Sequence, residues 1–207
     1  RRRDGPSTPN TSSRIRWDTT GYGILRNKGY RILRWDTMGQ MDLEFHDVSG
    51  SRWTFEDDPV REWTRKWCEG RVLNACAGRT RLGYNGEVVR NDIDEDADAD
   101  THLDVHDLPD EFGADAFDTI VFDPPWSGFQ SGDKYGGGDV NWTADIKEGF
   151  DQLLRAHGRV IQIGYCASAM PSRLGYERIA VATFAPYGRR KSFVGSVVEK
   201  HAQLSDF

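Results

Sequence analysis

From Arg71 to the C-terminus, short apolar segments alternate with stretches long enough to form a helix. The apolar segments are 72–76, 87–91, 101–104, 119–122, 159–164, 178–184 and 193–200. Apolar runs divided by helix-length gaps are typical of parallel strands that are buried on both faces. The last two segments are close enough in sequence to pair as an antiparallel hairpin. The pattern therefore predicts an α/β fold in which helices cover both faces of a seven-stranded, mostly parallel sheet.

Two helices can be placed within this pattern. Asp57 and Asp58 are suited to serve as the cap and the first-turn acid of a helix that opens at Pro59, and apolar residues follow helical spacing up to Gly70. A second helix is predicted over residues 144–157, because a glycine follows its last periodic position.

The first 56 residues follow a different pattern. Residues 1–13 combine arginines with Pro, Ser, Thr and Asn, which predicts a disordered basic tail. Two similar strand-then-turn units follow at 16–21 and 34–39, each ended by Asp-Thr-x-Gly, and further strand signals occur at 41–47 and 51–55. We therefore expect a small β-rich N-terminal appendage over residues 14–56, followed by the main domain over residues 57–207.

Composition limits the classes of protein that this chain can belong to. No apolar run approaches the roughly 20 residues of a membrane span, and the arginine-rich start does not look like a secretory signal. We expect no membrane partner and a cytoplasmic location, in a cell or, for a virus-encoded protein, in the host. Cys68, Cys76 and Cys166 have no paired spacing, so we expect neither disulfides nor a metal site.

The charged residues are unusual in type and in placement. Asp outnumbers Glu 23 to 10 and Arg outnumbers Lys 21 to 6, which is expected of a halophilic protein or of a GC-rich genome. Residues 1–40 carry nine Arg or Lys against three Asp, whereas residues 91–118 carry twelve Asp or Glu and no basic residue. A basic arm on a chain with a net charge of −6 favours a partner that carries phosphate, such as nucleic acid.

Small and acidic residues follow the predicted strands at their carboxyl ends, where open parallel sheets bind ligands. The first strand runs into the segment 74–80 (NACAGRT), whose small side chains allow the backbone to approach a ligand closely. Asp92 ends the second strand, where a carboxylate can accept both hydroxyls of a ribose. Asp104 ends the third strand, and we prefer it to Asp107 because it falls where the strand should stop.

The strongest signal is Asp123-Pro124-Pro125-Trp126, which comes directly after the apolar segment 119–122. Two consecutive prolines stiffen the loop, so the Asp123 carboxylate and the Pro124 carbonyl point in set directions. This pair can accept both N–H groups of an aromatic amine, which leaves the nitrogen lone pair available for attack. Trp126 can stack on a flipped-out base. Such a site works by positioning and electrostatics.

These segments resemble class I S-adenosylmethionine-dependent methyltransferases. Residues 74–80 match their Asp-x-Phe-x-Gly-x-Gly motif in part: Gly78 is kept, whereas Asn74, Cys76 and Thr80 replace the acid, the aromatic residue and the second glycine. Residues 123–126 resemble the (Asp/Asn/Ser)-Pro-Pro-(Tyr/Phe/Trp) motif of amino methyltransferases, where a first Asp is typical of the adenine-N6 group. The motif order is that of γ-type DNA enzymes and the reverse of that in the eukaryotic messenger-RNA adenosine methyltransferases.

The resemblance covers residues 55–200 and implies a Rossmann-like methyltransferase domain that uses S-adenosylmethionine as its cofactor. It implies a site-specific DNA methyltransferase that modifies the N6 amino group of adenine. The implied catalytic residues are Asp123, Pro124, Pro125 and Trp126. The implied cofactor-binding residues include Phe55 for the methionine end, Asp92 for the ribose and Asp104 for the adenine amino group. The others are Asn74, Ala75, Cys76, Ala77, Gly78, Ile93, Val105 and Asp123.

Nucleic-acid binding needs residues beyond these motifs. DNA enzymes of this type carry a target-recognition region, yet only about 80 residues follow the catalytic motif. Recognition is therefore expected from the appendage, from the glycine-rich segment 127–140 and from the hairpin loop of the last two strands, or from a partner chain. The candidate nucleic-acid-binding residues are Arg34, Lys134, Tyr135, Arg189, Arg190 and Lys191.

Two alternatives stay open. The first is amino methylation of RNA, of cytosine N4 or of a protein glutamine. Motif order and charge do not exclude RNA, whereas Asn or Ser would be commoner than Asp at position 123 for the other two. The second is a catalytically inactive protein that binds cofactor and nucleic acid. Asn74 and Thr80 favour it, and the intact 123–126 motif disfavours it.

Adaptation to salt can be tested directly. If the Asp-rich, Lys-poor composition reflects a halophilic source, the unfolded protein should regain its native tryptophan fluorescence in molar KCl and fail to do so at low KCl. Equal recovery under both conditions would contradict this adaptation and leave a GC-rich genome as the explanation.

Overall fold

The structure is a computed structural model that describes residues 41–125, 143–167, 170–188 and 191–201, together with the backbone of three strands before residue 35. Its strands are β1 (Arg16–Trp17), β2 (Gly23–Asn27), β3 (Tyr30–Arg34), β4 (Asp42–Val48), β5 (Val72–Asn74), β6 (Val88–Arg90), β7 (Phe117–Phe122), β8 (Leu154–Gly164), β9 (Tyr176–Pro186) and β10 (Phe193–Lys200). Its helices within these ranges are α1 (Asp58–Trp67), α2 (Leu108–Phe112) and α3 (Ala144–Leu153). Single 3-10 turns span Thr54–Glu56 and Ser172–Leu174.

The strands form one sheet in the order β1-β2-β3-β4-β9-β10-β8-β7-β5-β6. β5 lies between β6 and β7, and β7 pairs with β8, all in parallel. β10 is antiparallel to both β8 and β9. A parallel bridge between Asn91 and Thr101 extends the sheet by one position beyond β6. With this bridge, the part of the sheet formed by β5 to β10 has the seven predicted positions. The predicted Rossmann-like sheet with an antiparallel C-terminal hairpin is confirmed.

The N-terminal strands continue this sheet at the other edge. β4 pairs in parallel with β9, and β3, β2 and β1 follow in antiparallel succession. The tail at residues 1–13 lies outside the described residues.

Several predicted boundaries were wrong. The strand expected at 51–55 is replaced by the 3-10 turn at Thr54–Glu56. The helix expected to run to residue 157 ends at Leu153, because Leu154 already pairs with Phe117 of β7. The strand expected at 101–104 shrinks to the Thr101 bridge, since the buried side chain of Asn91 holds the Leu103 backbone through bonds of 3.0 Å to both its N–H and its carbonyl.

The sheet buries apolar side chains on both faces, as expected of strands covered by helices on each side. Neighbouring residues of β7 point to opposite faces: Val121 packs in the core beneath α1, whereas Ile120 packs in the core beneath α3. α1 contributes Val60 and Trp63 to the first core. α3 contributes Ile146, Phe150 and Leu153 to the second, together with Leu108 of α2. Among the described helices, none is long and apolar enough to cross a membrane.

Helix α1 makes a close contact with the sheet at Gly195. A Cβ atom at Gly195 of β10 would lie 2.4 Å from Cζ3 of Trp63, so the indole lies directly on the glycine. Trp63 also packs edge-on against Phe184, with ring centroids 5.7 Å apart, and Phe184 stacks on Phe193 at 5.2 Å. This contact holds the middle of α1 against β9 and β10.

The contact predicts that Gly195→Ala will lower the free energy of unfolding by about 1–3 kcal/mol, because the added methyl overpacks the core. Urea denaturation of the single variants and of the double variant with Trp63→Phe would measure the coupling. Phe lacks the outer ring atoms that meet position 195, so the cost of the alanine should shrink in the double variant. Fully additive losses would contradict the packing described here.

Candidate active site

A cavity of about 400 Å³ opens at the carboxyl ends of β5, β6 and β7. This volume falls within the range of small-molecule sites. Its walls come from segments 50–55, 75–80, 92–93, 103–105 and 123–125, together with Asp57, Tyr165, Pro186, Lys191 and Phe193. The cavity therefore lies where an open parallel sheet is expected to bind its ligand.

Strand pairing brings these segments together. Asn74 at the end of β5 is level with Arg90 of β6 and with Val121 of β7. The backbone pairing continues past β5, where Ala75 N–H donates to the Val121 carbonyl at 2.9 Å and Ala77 N–H donates to the Asn91 carbonyl at 2.8 Å. The loops that follow the three strands therefore start at the same edge of the sheet.

Asp92 is a buried carboxylate that is held in one orientation. Its Oδ2 accepts the backbone N–H of Gly78 at 2.7 Å, and its Oδ1 accepts the backbone N–H of Asp94 at 3.0 Å. Each carboxylate oxygen can accept a further hydrogen bond. Gly78 has a φ of +54°, which favours glycine, and no atom lies within 4 Å of the place a Cβ would take. The Gly78 loop and the Asp92 carboxylate therefore meet at an open part of the cavity wall.

Asp104 is a second acceptor on the wall. It accepts the backbone N–H of His106 at 3.0 Å and lies 2.6 Å from Nδ1 of the same histidine. The backbone N–H of His106 is the main cause that lowers the pKa of Asp104 below its usual value. The group is therefore ionised at neutral pH and can only accept hydrogen bonds.

The pKa of the Cys76 thiol is affected by burial and by the carboxylates of the cavity. Burial raises the pKa of its thiol well above the usual value, and the carboxylates of Asp92, Asp123 and Asp104 raise it further. The thiol therefore stays protonated at neutral pH and is a poor nucleophile. Asp92, Asp104 and Asp123 all line the cavity, and their carboxylates favour a cationic ligand in this part of it.

The segment that follows β7 lines the same cavity. Asp123 and Pro125 are half-buried, Pro124 is buried, and all three line the wall directly after β7. The fourth residue of the motif, Trp126, lies outside the described residues.

Arg90 organises the Gly78 loop, and the sequence analysis missed it. Its buried guanidinium donates to the carbonyl oxygens of Gly78 at 3.0 Å, Thr80 at 2.8 Å and Asp98 at 2.6 Å. Residues 75–87 contain no helix, and these hydrogen bonds satisfy carbonyls of the irregular loop. The available signal was an arginine inside the apolar segment 87–91, directly before a long acidic run, since a buried guanidinium needs acceptors.

Asp57 organises the opposite wall. It occupies the N-cap position of α1, but its side chain makes no capping hydrogen bond. Its carboxylate instead accepts the backbone N–H groups of Ser49 at 3.0 Å and Ser51 at 2.9 Å, and also the Ser49 hydroxyl. The predicted capping role was therefore wrong, since the carboxylate closes the loop between β4 and α1. The loop carries Phe55, which is buried at the cavity.

The remaining predicted residues divide between the cavity and other places. Ala75, Ala77, Ile93, Val105 and Lys191 line the cavity. Asn74 is fully buried behind the cavity wall, and its amide has no hydrogen-bond partner among the described residues. Arg34 lies in β3, where only the backbone is described, and Lys134, Tyr135, Arg189 and Arg190 lie outside the described residues. Sequence analysis also missed the wall residues Trp53 and Tyr165.

The fold is similar to that of a solved structure of low sequence identity. The protein yhhF of Escherichia coli, described as a "putative methyltransferase", is 12% identical with a TM-score of 0.50, over 80% of this chain and 97% of that protein. TrmN from Thermus thermophilus is 18% identical with a TM-score of 0.49, over 73% of this chain and 51% of that protein. The T. thermophilus 16S rRNA N2 G1207 methyltransferase RsmC, solved with AdoMet and guanosine, is 17% identical with a TM-score of 0.41, over 84% and 46% respectively. No protein-family model and no curated protein matches the sequence.

The role of Arg90 predicts a large effect on stability. Arg90→Met keeps most of the side-chain length but leaves three backbone carbonyls without a donor, so the free energy of unfolding should fall by about 3 kcal/mol or more. Arg81→Met is the matched control, because Arg81 is an exposed arginine of the same loop that pairs with Asp98, and its loss should cost less than about 1 kcal/mol. Equal losses in urea denaturation would contradict the role of Arg90.

Proposed function

We propose that this protein is an S-adenosylmethionine-dependent methyltransferase that modifies the N6 amino group of adenine in DNA. One observation carries the proposal: the Asp123-Pro124-Pro125 loop lines the same cavity as the strand-end carboxylates Asp92 and Asp104. The Asp123-Pro124-Pro125 loop offers acceptors for the N–H groups of an aromatic amine. The carboxylates of Asp92 and Asp104 offer acceptors for the hydroxyl and amino groups of a nucleoside cofactor.

The residues of the cavity fit this cofactor. The oriented Asp92 carboxylate keeps lone pairs that can accept ribose hydroxyls. The ionised Asp104 can accept an adenine amino group. Ile93 is 50% exposed on the wall and, with Val105, offers an apolar surface to a flat ring. When bound, S-adenosylmethionine would supply an electrophilic methyl group on a sulfonium centre, and the negative potential of the three carboxylates suits that positive charge.

Asp123 and Pro124 would prepare the acceptor. The amino group of adenine is a poor nucleophile because its lone pair is delocalised into the ring. The Asp123 carboxylate and the Pro124 carbonyl would accept its two N–H groups and favour a pyramidal nitrogen with an available lone pair. The rigid prolines keep these acceptors in place, so no reorganisation is needed during the reaction. Phe55 would contact the methionine end of the cofactor.

A nucleic-acid substrate is supported at the mouth of the cavity. The Nζ atom of Lys191 lies 5.8 Å from the ring centroid of Tyr165, and both residues line the wall. An exposed aromatic face beside a cation suits a base and its phosphate. RNA carries the same groups and is therefore the substrate that the experiment must separate from DNA.

The experiment is a transfer assay with tritiated S-adenosylmethionine in high salt. The substrates are duplex DNA, single-stranded DNA and RNA, followed by nucleoside analysis of each product. N6-methyladenine in DNA is the expected product. The same product in RNA alone would replace DNA by RNA as the substrate. Cofactor binding without transfer to any of the three would favour a catalytically inactive binding protein.

Asp123→Ala should lower the rate of transfer by about 10²- to 10³-fold, because the amine loses one of its two oriented acceptors. Asp110→Ala is the matched control, since Asp110 is an exposed carboxylate on α2 and lies outside the cavity lining. Its rate should equal that of the wild type, and the melting temperatures of both variants should stay close to the wild-type value. An Asp123→Ala variant that retains full activity would contradict the assigned role.

A further inference from the structure

Two arginines lie against one tryptophan on the wall of the cavity. The guanidinium carbons of Arg52 and Arg79 lie 5.1 Å and 5.9 Å from the ring centroid of Trp53, and all three residues line the cavity. Arg52 and Trp53 belong to the loop between β4 and α1, whereas Arg79 follows Gly78 after β5. Two separate segments of the chain therefore bring positive charge to the same place.

Neither arginine forms an ion pair with a carboxylate within the described residues. Other surface arginines do have partners: Arg61 pairs with Asp58, Arg71 with Glu87, Arg81 with Asp98, Arg155 with Asp118 and Arg173 with Glu148, whereas Arg65 and Arg178 donate to backbone carbonyls. Among the residues that the structure describes, Arg52 and Arg79 have no carboxylate partner, so their guanidinium groups are available for a ligand of the cavity.

The cavity therefore carries groups of both charges. The carboxylates of Asp92, Asp104 and Asp123 line it, and so do the two guanidinium groups, which lie beside Trp53. Contact with the ring of Trp53 restricts the two arginine side chains before a ligand binds. They therefore lose less conformational entropy on binding. The guanidinium fork matches the oxygens of a carboxylate or a phosphate.

We propose that Arg52, Trp53 and Arg79 form an oxyanion subsite of this cavity. Two ligands would supply the oxyanion: the carboxylate at the amino-acid end of the cofactor, or a backbone phosphate of the nucleic acid. The choice of these two ligands rests on the proposed function. The subsite itself is defined by the contacts of Arg52 and Arg79 with Trp53 and by their place on the cavity wall.

The first arm of the test measures binding by calorimetry without any methyl transfer. The probes are S-adenosylhomocysteine, which carries the carboxylate, and 5′-methylthioadenosine, which keeps the nucleoside and lacks the amino-acid end. If the carboxylate occupies the subsite, Arg52→Gln and Arg79→Gln should each weaken S-adenosylhomocysteine by about tenfold, as loss of a charge-assisted hydrogen bond does. The affinity for 5′-methylthioadenosine should stay unchanged.

The second arm measures binding of a fluorescent oligonucleotide over a series of salt concentrations. If a phosphate occupies the subsite, each substitution should weaken binding and reduce the slope of log K against log salt by about one. Arg81→Gln is the control in both arms, because Arg81 lies two residues after Arg79, is exposed and is paired with Asp98. It should behave like the wild type.

The outcomes separate this proposal from the proposed function. A double variant, Arg52→Gln with Arg79→Gln, that keeps wild-type affinity for both S-adenosylhomocysteine and the oligonucleotide would overturn the subsite. So would a loss no larger than that of Arg81→Gln, or a wild-type protein that binds neither probe. A protein that loses affinity in the double variant but transfers no methyl group would keep the subsite and contradict the proposed function.

Discussion

The site depends on the placement of β5 between β6 and β7 in parallel register. Parallel pairing sends the three following loops to one edge of the sheet, and the bonds of Ala75 and Ala77 extend the pairing into the first loop. The Gly78 loop, Asp92 and the Asp123 loop are separated by many residues in sequence. They line one cavity because their strands end at the same level. Apolar side chains on both faces of β5 and β7 keep these strands buried and in register.

Polar side chains hold the loops that follow the paired strands and form the cavity wall. Arg90 binds two carbonyls of the Gly78 loop, Asn91 holds the Leu103 backbone, and Asp57 closes the loop before α1. Each of these side chains satisfies backbone groups that no helix or strand satisfies, and an unpaired buried group would cost free energy comparable to a lost hydrogen bond. The cavity walls are therefore irregular loops held by specific side chains. The cavity is lined by both carboxylates and guanidinium groups, and the guanidinium groups of Arg52 and Arg79 lie beside Trp53.

Sequence patterns predicted the elements that bury apolar side chains. β7, β8 and the β9–β10 hairpin were recognised because continuous apolar runs report burial on both faces. Boundaries were less accurate where backbone pairing decided them, as at Leu154, where the chain passes from α3 directly into β8. The strand expected at 101–104 did not form, because the Asn91 side chain occupies the hydrogen-bonding groups of Leu103 that a strand would use. Local periodicity contains no information about such distant partners.

The sequence by itself determined the main buried strands from Arg71 onward and the residues that follow them, because hydrophobic periodicity and chain order are local properties. It also located the Asp123-Pro124-Pro125 loop, since two prolines restrict the backbone wherever they occur. Only the tertiary structure decided that Arg90 supports the Gly78 loop, that Asp57 turns away from the helix that it precedes, and that Arg52 and Arg79 meet at Trp53. These contacts join residues from different segments, and long-range contacts of single side chains depend on how the elements pack.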